Sequence, residues 1–251
     1  MAQKKINGYT LWEGASLYDG SPIAVILTGI ESKSTNAKTG AMLQTYILRQ
    51  DVSPTDALKT GQDAAICGDC RHRPILAAQS GEARCYVNVG QGALSVWKAY
   101  RNGAYPKATP EQVAHLIEGR KVRFGTYGDP CVAPVQIFQT LAFLADGHTG
   151  YTHRWRDMTF DLQAWSPLVM ASVDDLWEQQ TAKALGMRYF RVSIGLDALL
   201  DREVRCPASA EMGKRTTCVS CTLCSGTTIK AKSVVIADHG LGWKSRAKAK
   251  A

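Results

Sequence analysis

Four cysteines fall within nineteen residues near the end of the chain, in Cys206-Pro-Ala-Ser-Ala-Glu-Met-Gly-Lys-Arg-Thr-Thr-Cys218-Val-Ser-Cys221-Thr-Leu-Cys224-Ser-Gly226. The last three are separated by two residues each, on a backbone rich in the turn formers Gly213, Thr216, Thr217 and Gly226. Short loops of this kind aim several sulfurs at one point, as a metal requires and a disulfide does not. The spacing predicts a Cys-rich metal loop over 206–226. Zn²⁺ held by Cys206, Cys218, Cys221 and Cys224, or by three of them and a histidine, is one occupant. An iron–sulfur cluster is the other, because C-x2-C-x2-C also occurs in ferredoxins.

An earlier group, Cys67-x2-Cys70 followed by Cys85, presents two sulfurs on a knuckle and a third fifteen positions on. With His72 or another residue it completes a second site, or the two halves share one centre. Eight cysteines in a chain whose start, MAQKKING, lacks a signal-peptide core point to metal ligands in a reducing cytoplasm, the host's if the chain is phage-encoded. The longest apolar runs, Ile23 to Leu27 and Leu141 to Ala145, are far short of a bilayer span, so no membrane partner is expected. Thirty Lys and Arg against 22 acids leave a net charge of +8, part of it in the tail 244–251. That balance suits a polyanionic partner, a nucleic acid and first of all DNA.

Residues 1–60 read as a β-rich N-terminal appendage, with strands at 23–29 and 42–48 joined across a polar hairpin loop at 32–40. From 61 to 243 strands alternate with helices. Strands are expected at 85–89, 121–127, 149–153, 168–173, 188–193, 203–206 and 233–237. Helices are expected at 94–100, from Thr109-Pro110 to Gly119, at 135–145, and after Ser172 as a cap with Asp175 three residues later. Such alternation predicts an α/β fold with a parallel sheet, most simply a small or incomplete (β/α) barrel.

Polar groups stand at or near the C-terminal ends of these strands: Asn88, Asp129, His153, Asp174 with Asp175, Arg191, Cys206 and Asp238-His239-Gly240. In a parallel barrel such positions ring the active-site mouth, which favours an enzyme. Asp129, between a Gly and a Pro, is the first candidate for nucleophile or general base, and Asp174 for a second acid; both also suit helix capping. His153 joins them as a candidate catalytic group. Tyr151, Arg154 and Arg156 around it suit stacking of a base and grip of its phosphates. His239 suits a metal ligand or a base.

The order of these motifs, Cys67-x2-Cys70 with Cys85-Tyr86, Gly128-Asp129, Tyr151-Thr152-His153, Ala171-Ser172-Val173-Asp174, Cys206-Pro207-Ala208, Cys218-x2-Cys221-x2-Cys224 and His239-Gly240, resembles a Cys-rich family of phage-encoded proteins over about residues 60 to 240. More distantly, an α/β barrel with acidic strand ends and a late zinc cluster is similar to the tRNA-guanine transglycosylase superfamily, including phage enzymes that insert 7-deazaguanines into DNA. That resemblance implies exchange of guanine for a preQ0-like 7-deazaguanine base. Asp129 would be the nucleophile and Asn88 or Asp174 a base contact, with zinc on Cys218, Cys221 and Cys224 together with Cys206 or His239. A competing resemblance is to radical S-adenosylmethionine enzymes, which use partial (β/α) barrels and a cysteine cluster early in the barrel, where Cys67, Cys70 and Cys85 stand. A zinc protein that only binds nucleic acid is the third reading.

Overall fold

The computed structural model describes residues 5–32, 34, 36–80, 85–193 and 198–237. His239 and the tail 244–251 lie outside them. The strands are β1 (Gly8–Ala15), β2 (Pro22–Thr28), β3 (Leu43–Arg49), β4 (Lys121–Tyr127), β5 (Gly147–Thr149), β6 (Tyr151–Thr152), β7 (Met170–Val173), β8 (Tyr189–Ser193), β9 (Glu203–Arg205) and β10 (Ser233–Ala237). They form two sheets, β1-β2-β3-β4-β5 and β6-β7-β8-β10-β9. In the first, β1-β2 and β2-β3 are antiparallel while β3-β4 and β4-β5 are parallel; the second is parallel throughout. The fold is therefore mixed α/β.

β2 carries Ile23 to Leu27 with no exposed surface, because it lies between two neighbours and is covered on both faces. β2 and β3 are not set apart from the rest, since β3 also pairs with β4 and the N-terminal strands continue the sheet whose β4 leads to Asp129. The longer helices are α1 (Pro54–Thr60), α4 (Leu94–Arg101), α6 (Val135–Leu144) and α8 (Leu176–Ala184); α2 (Ala64–Cys67), α3 (Pro74–Ser80), α5 (Ala114–Ile117), α7 (Leu162–Trp165) and α9 (Cys218–Cys221) are short. α1 starts as its sequence dictates, with the Ser53 side chain accepting from Asp56 N, Pro54 in the first turn, and Gly61 ending it at φ 77°.

Three local expectations are corrected. Residues 85–88 form no strand: Cys85 N donates to His72 O, so its donor is spent on the preceding cysteine loop, and a π-turn at Val89–Ala93 then leads into α4. The stretch 149–153 is not one strand, because Gly150 turns its N–H to Cys224 O while its carbonyl accepts from Met170 N; the chain leaves one sheet there and enters the other. A Cβ at Gly150 would stand 2.9 Å from Val169 Cγ1, which is why glycine occupies the crossing. The cap of α8 is Asp175, whose carboxylate accepts from Glu178 N, rather than Ser172.

The main core lies on the first sheet and includes Ile26, Leu43, Phe124, Phe138 and Leu141. A smaller cluster of Met170, Phe190, Val234 and Ile236 contains Cys206 and Cys224, so the late cysteine loop is packed into the second sheet's own core.

Candidate functional site

β6, β7 and β9 end immediately before His153, Asp174 and Cys206, and β4 ends two residues before Asp129, with Gly128 between, so four of the expected polar groups stand at strand ends. Asn88 lies in irregular chain after Cys85, and Arg191 lies within β8. Cys67, Cys70 and Cys85 come from the connection after β3, the first strand with a parallel partner.

The four late cysteines are brought together. Cys206, Cys218 and Cys221 all lie close enough to raise the Cys224 thiol, which burial pushes up to about 12. Burial also raises Cys218, against the opposing influence of Arg123 and Lys38. All four border a cavity of about 400 Å³, with Lys38, Asn88, Arg123 and Tyr151 among its other walls. The loop is held from two sides. Cys218 N donates to Lys38 O and Val219 N to Thr39 O, across from the β2–β3 connection. Arg188 donates to the carbonyls of Leu223, Gly226 and Lys232.

The early cysteines border a second cavity of about 130 Å³, together with His72, Asp129 and His153. Tyr86, Val87, Arg123, Thr126 and Tyr151 are walls of both cavities, so the two thiol groups face the same partition. Burial raises the Cys67 thiol, with Cys70 adding to it, and pushes Cys85 up to about 11. Burial also disfavours the Cys70 thiolate, but the charges of His153 and then His72 outweigh it and leave Cys70 below its ordinary value. Its sulfur is 3.9 Å from His153 Nε2. Cys131, the eighth cysteine, is a buried core residue.

Asp174 stands between two imidazoles, with His72 Nε2 2.9 Å from Oδ1 and His153 Nε2 3.7 Å from Oδ2. Burial opposes its charge, but the neighbouring imidazoles of His153 and His72 hold it well below the usual carboxylate range. Asp129 is 7 % exposed, and both its oxygens are used: Oδ1 accepts from Cys131 N, and Oδ2 from Thr152 Oγ1 and His153 N. Burial nevertheless raises it above its ordinary value.

The arginines expected at the phosphates, Arg154 and Arg156, and the strand-end Arg191 are all engaged elsewhere. Arg154 donates to Cys131 O and pairs with Asp157, Arg156 pairs with Glu178, and Arg191 makes a buried two-bonded pair with Glu203. Tyr151 lines both cavities and Asn88 the larger one. The sequence reading passed over Arg123 and Lys38, the cations beside the thiols, because one is a strand residue and the other a loop lysine with no motif around it.

No family model, curated protein or solved structure matches the chain. Among the described residues no helix is long and apolar enough to cross a membrane.

Proposed function

We propose that the chain is an iron–sulfur enzyme with two cluster sites facing one partition, Cys67, Cys70 and Cys85 holding the first by three thiolates and Cys206, Cys218, Cys221 and Cys224 holding the second by four. The grouping of the thiols carries this reading: Cys206, Cys218, Cys221 and Cys224 border a cavity of about 400 Å³, and Cys67, Cys70 and Cys85 border a second of about 130 Å³ behind a shared partition. A four-iron cluster takes one thiolate at each iron corner, and the C-x2-C-x2-C spacing of Cys218, Cys221 and Cys224 occurs in ferredoxins.

The runs β3-β4-β5 and β6-β7-β8 suit a small, incomplete (β/α) barrel, with the three-thiol group following its first strand as the radical S-adenosylmethionine resemblance requires. A cluster bound by three thiolates supplies a low-potential electron and one iron open to a further ligand. The chain's own contribution is to offset thiolate charge with Arg123 and Lys38, to place Tyr86 and Tyr151 between the two thiol groups, and to keep His153 beside Cys70. Base exchange would instead need the Asp129 carboxylate to act as a nucleophile while it caps the turn at Pro130–Val132.

Anaerobic purification with iron, sulfide and zinc assays tests the proposal. Roughly eight irons and matching sulfide per chain, with absorbance near ~400 nm, are expected for two four-iron clusters, and about half of that in Cys70→Ser or Cys221→Ser. One or two zincs and no iron would sink it and return base exchange and nucleic-acid binding to the front.

A further inference from the structure

His72, His153 and Asp174 form a group of non-thiol donors beside Cys70, whose sulfur is 3.9 Å from His153 Nε2. Among the described residues it is the only set of three or more His, Cys, Asp or Glu side chains whose ligand atoms all lie within 4.8 Å of one another. The three come from different parts of the chain: the loop after Cys70, the end of β6 and the end of β7. They are 16 %, 18 % and 8 % exposed.

The geometry is that of ligands around one ion more than of an ion-paired triad. Asp174 Oδ2 is buried and accepts no hydrogen bond. His153 Nε2 is 3.7 Å from it, too long for a hydrogen bond, and Arg71 Nε is 3.6 Å away. Two donors bound at about 2.1 Å to one ion stand roughly 3 to 3.5 Å apart, so both the 2.9 Å and the 3.7 Å separations come within a few tenths of an ångström of fitting. Both imidazoles also present the same nitrogen, Nε2, to the same carboxylate, which a proton relay through opposite ring nitrogens would not do. The local charge leaves room for a cation. Asp174, Asp175 and Glu178 face Arg71 and Arg156, so the carboxylates outnumber the guanidinium groups.

We propose that His72 Nε2, His153 Nε2 and one Asp174 oxygen bind a divalent first-row metal ion at the edge of the smaller cavity, beside Cys70, whose sulfur is 3.9 Å from His153 Nε2 and supplies none of the three donors. Two imidazoles and one carboxylate are an oxygen-tolerant, non-thiolate donor set that leaves further positions for water or a substrate oxygen. His72 and His153 line the cavity, which gives such a ligand its way in. The ion site goes beyond the iron–sulfur reading and does not depend on it.

Mn²⁺ is the probe, because it favours imidazole and carboxylate over thiolate. Anaerobically purified full-length protein, treated with chelator, is titrated with Mn²⁺ while the free ion is followed by its electron paramagnetic resonance signal. Wild type is expected to bind one equivalent, and Asp174→Asn to bind at least tenfold more weakly. His72→Gln, which keeps a polar side chain of similar size, is the second variant should Asp174→Asn not fold, with the same weakening expected. No binding by wild type, or equal binding by a folded variant, overturns the site. Iron and sulfide are measured on the same samples. Full iron and sulfide without Mn²⁺ binding overturns the ion site alone, and Mn²⁺ binding without iron or sulfide supports it while removing the iron–sulfur reading.

Discussion

The carboxylate of Asp63 meets the guanidinium of Arg73 in a buried two-bonded pair, Nε–Oδ2 3.0 Å and Nη2–Oδ1 2.9 Å. Arg73 also donates to Gly61 O and Gly68 O, so one guanidinium closes the loop that carries Cys67 and Cys70. Breaking a buried pair by removing one partner costs about 3–5 kcal/mol, since the other charge is left uncompensated. Asp63→Ala is expected to lower the urea midpoint accordingly and to remove iron from the three-thiol site while the four-thiol site keeps its own. Iron content equal to wild type in folded Asp63→Ala would show that the pair does not brace this loop.

Gly226 has φ 62°, and a Cβ there would meet Ser166 O and stand 2.6 Å from Pro167 C. Both neighbours are backbone and cannot rotate away. Gly226→Ala is therefore expected to unseat the turn after Cys224, at a cost of more than about 1 kcal/mol. Loss of metal from the four-thiol site with the three-thiol site retained is the expected assay result; retention at both sites would mean that the turn accommodates a side chain.

Burial pushes His148 from its ordinary 6.5 down to about 4, its ring stacked 4.9 Å from Phe124 and 4 % exposed. The unfolded chain takes up this proton below pH 6.5 and the folded chain only near pH 4. Stability from this group is therefore full above pH 6.5 and is lost as pH falls toward 4, by about 3 kcal/mol in all. Urea unfolding of wild type between pH 7 and 4.5 is expected to show that slope and His148→Phe a flatter one. Parallel profiles would assign the slope to other groups.

Asp129→Asn exchanges one accepting oxygen for an amide that must face an N–H or the Thr152 hydroxyl. The expected cost is about 1–3 kcal/mol of unfolding free energy with metal content unchanged. An unchanged melting midpoint would mean that the carboxylate is not needed for the turn and would restore it as a free catalytic group.

The α/β class was legible because 3.6-residue and two-residue patterns alternate along 121–193, and because α6 and the Thr109–Gln112 capping box obey local rules, whereas α1 stands inside the stretch 1–60 expected to be β-rich. The paired cysteine spacings were legible for the same reason: ligands close in sequence are close in space. What could not be read locally was long-range. Arg123 serves as a wall between two thiol groups because β4 lies between β3 and β5, and no neighbouring residue announces that position. Asp174 meets His72 across 102 positions. Arg154 and Arg156 looked free for phosphate, but Asp157 and Glu178 claim them once the strands are placed. Gly150 looked like a strand residue because its break is imposed by Cys224, which arrives much later in the chain.

The carbonyls of Lys38 and Thr39 hold the amides of Cys218 and Val219, so the seat of the four-thiol loop is made by residues 180 positions away, from 38 to 218. During synthesis the N-terminal half of that seat leaves the ribosome long before the cysteines it receives, and waits with its carbonyls in water. A polypeptide cut short before Cys224 therefore carries the seat of the four-thiol loop without the complete loop that fills it.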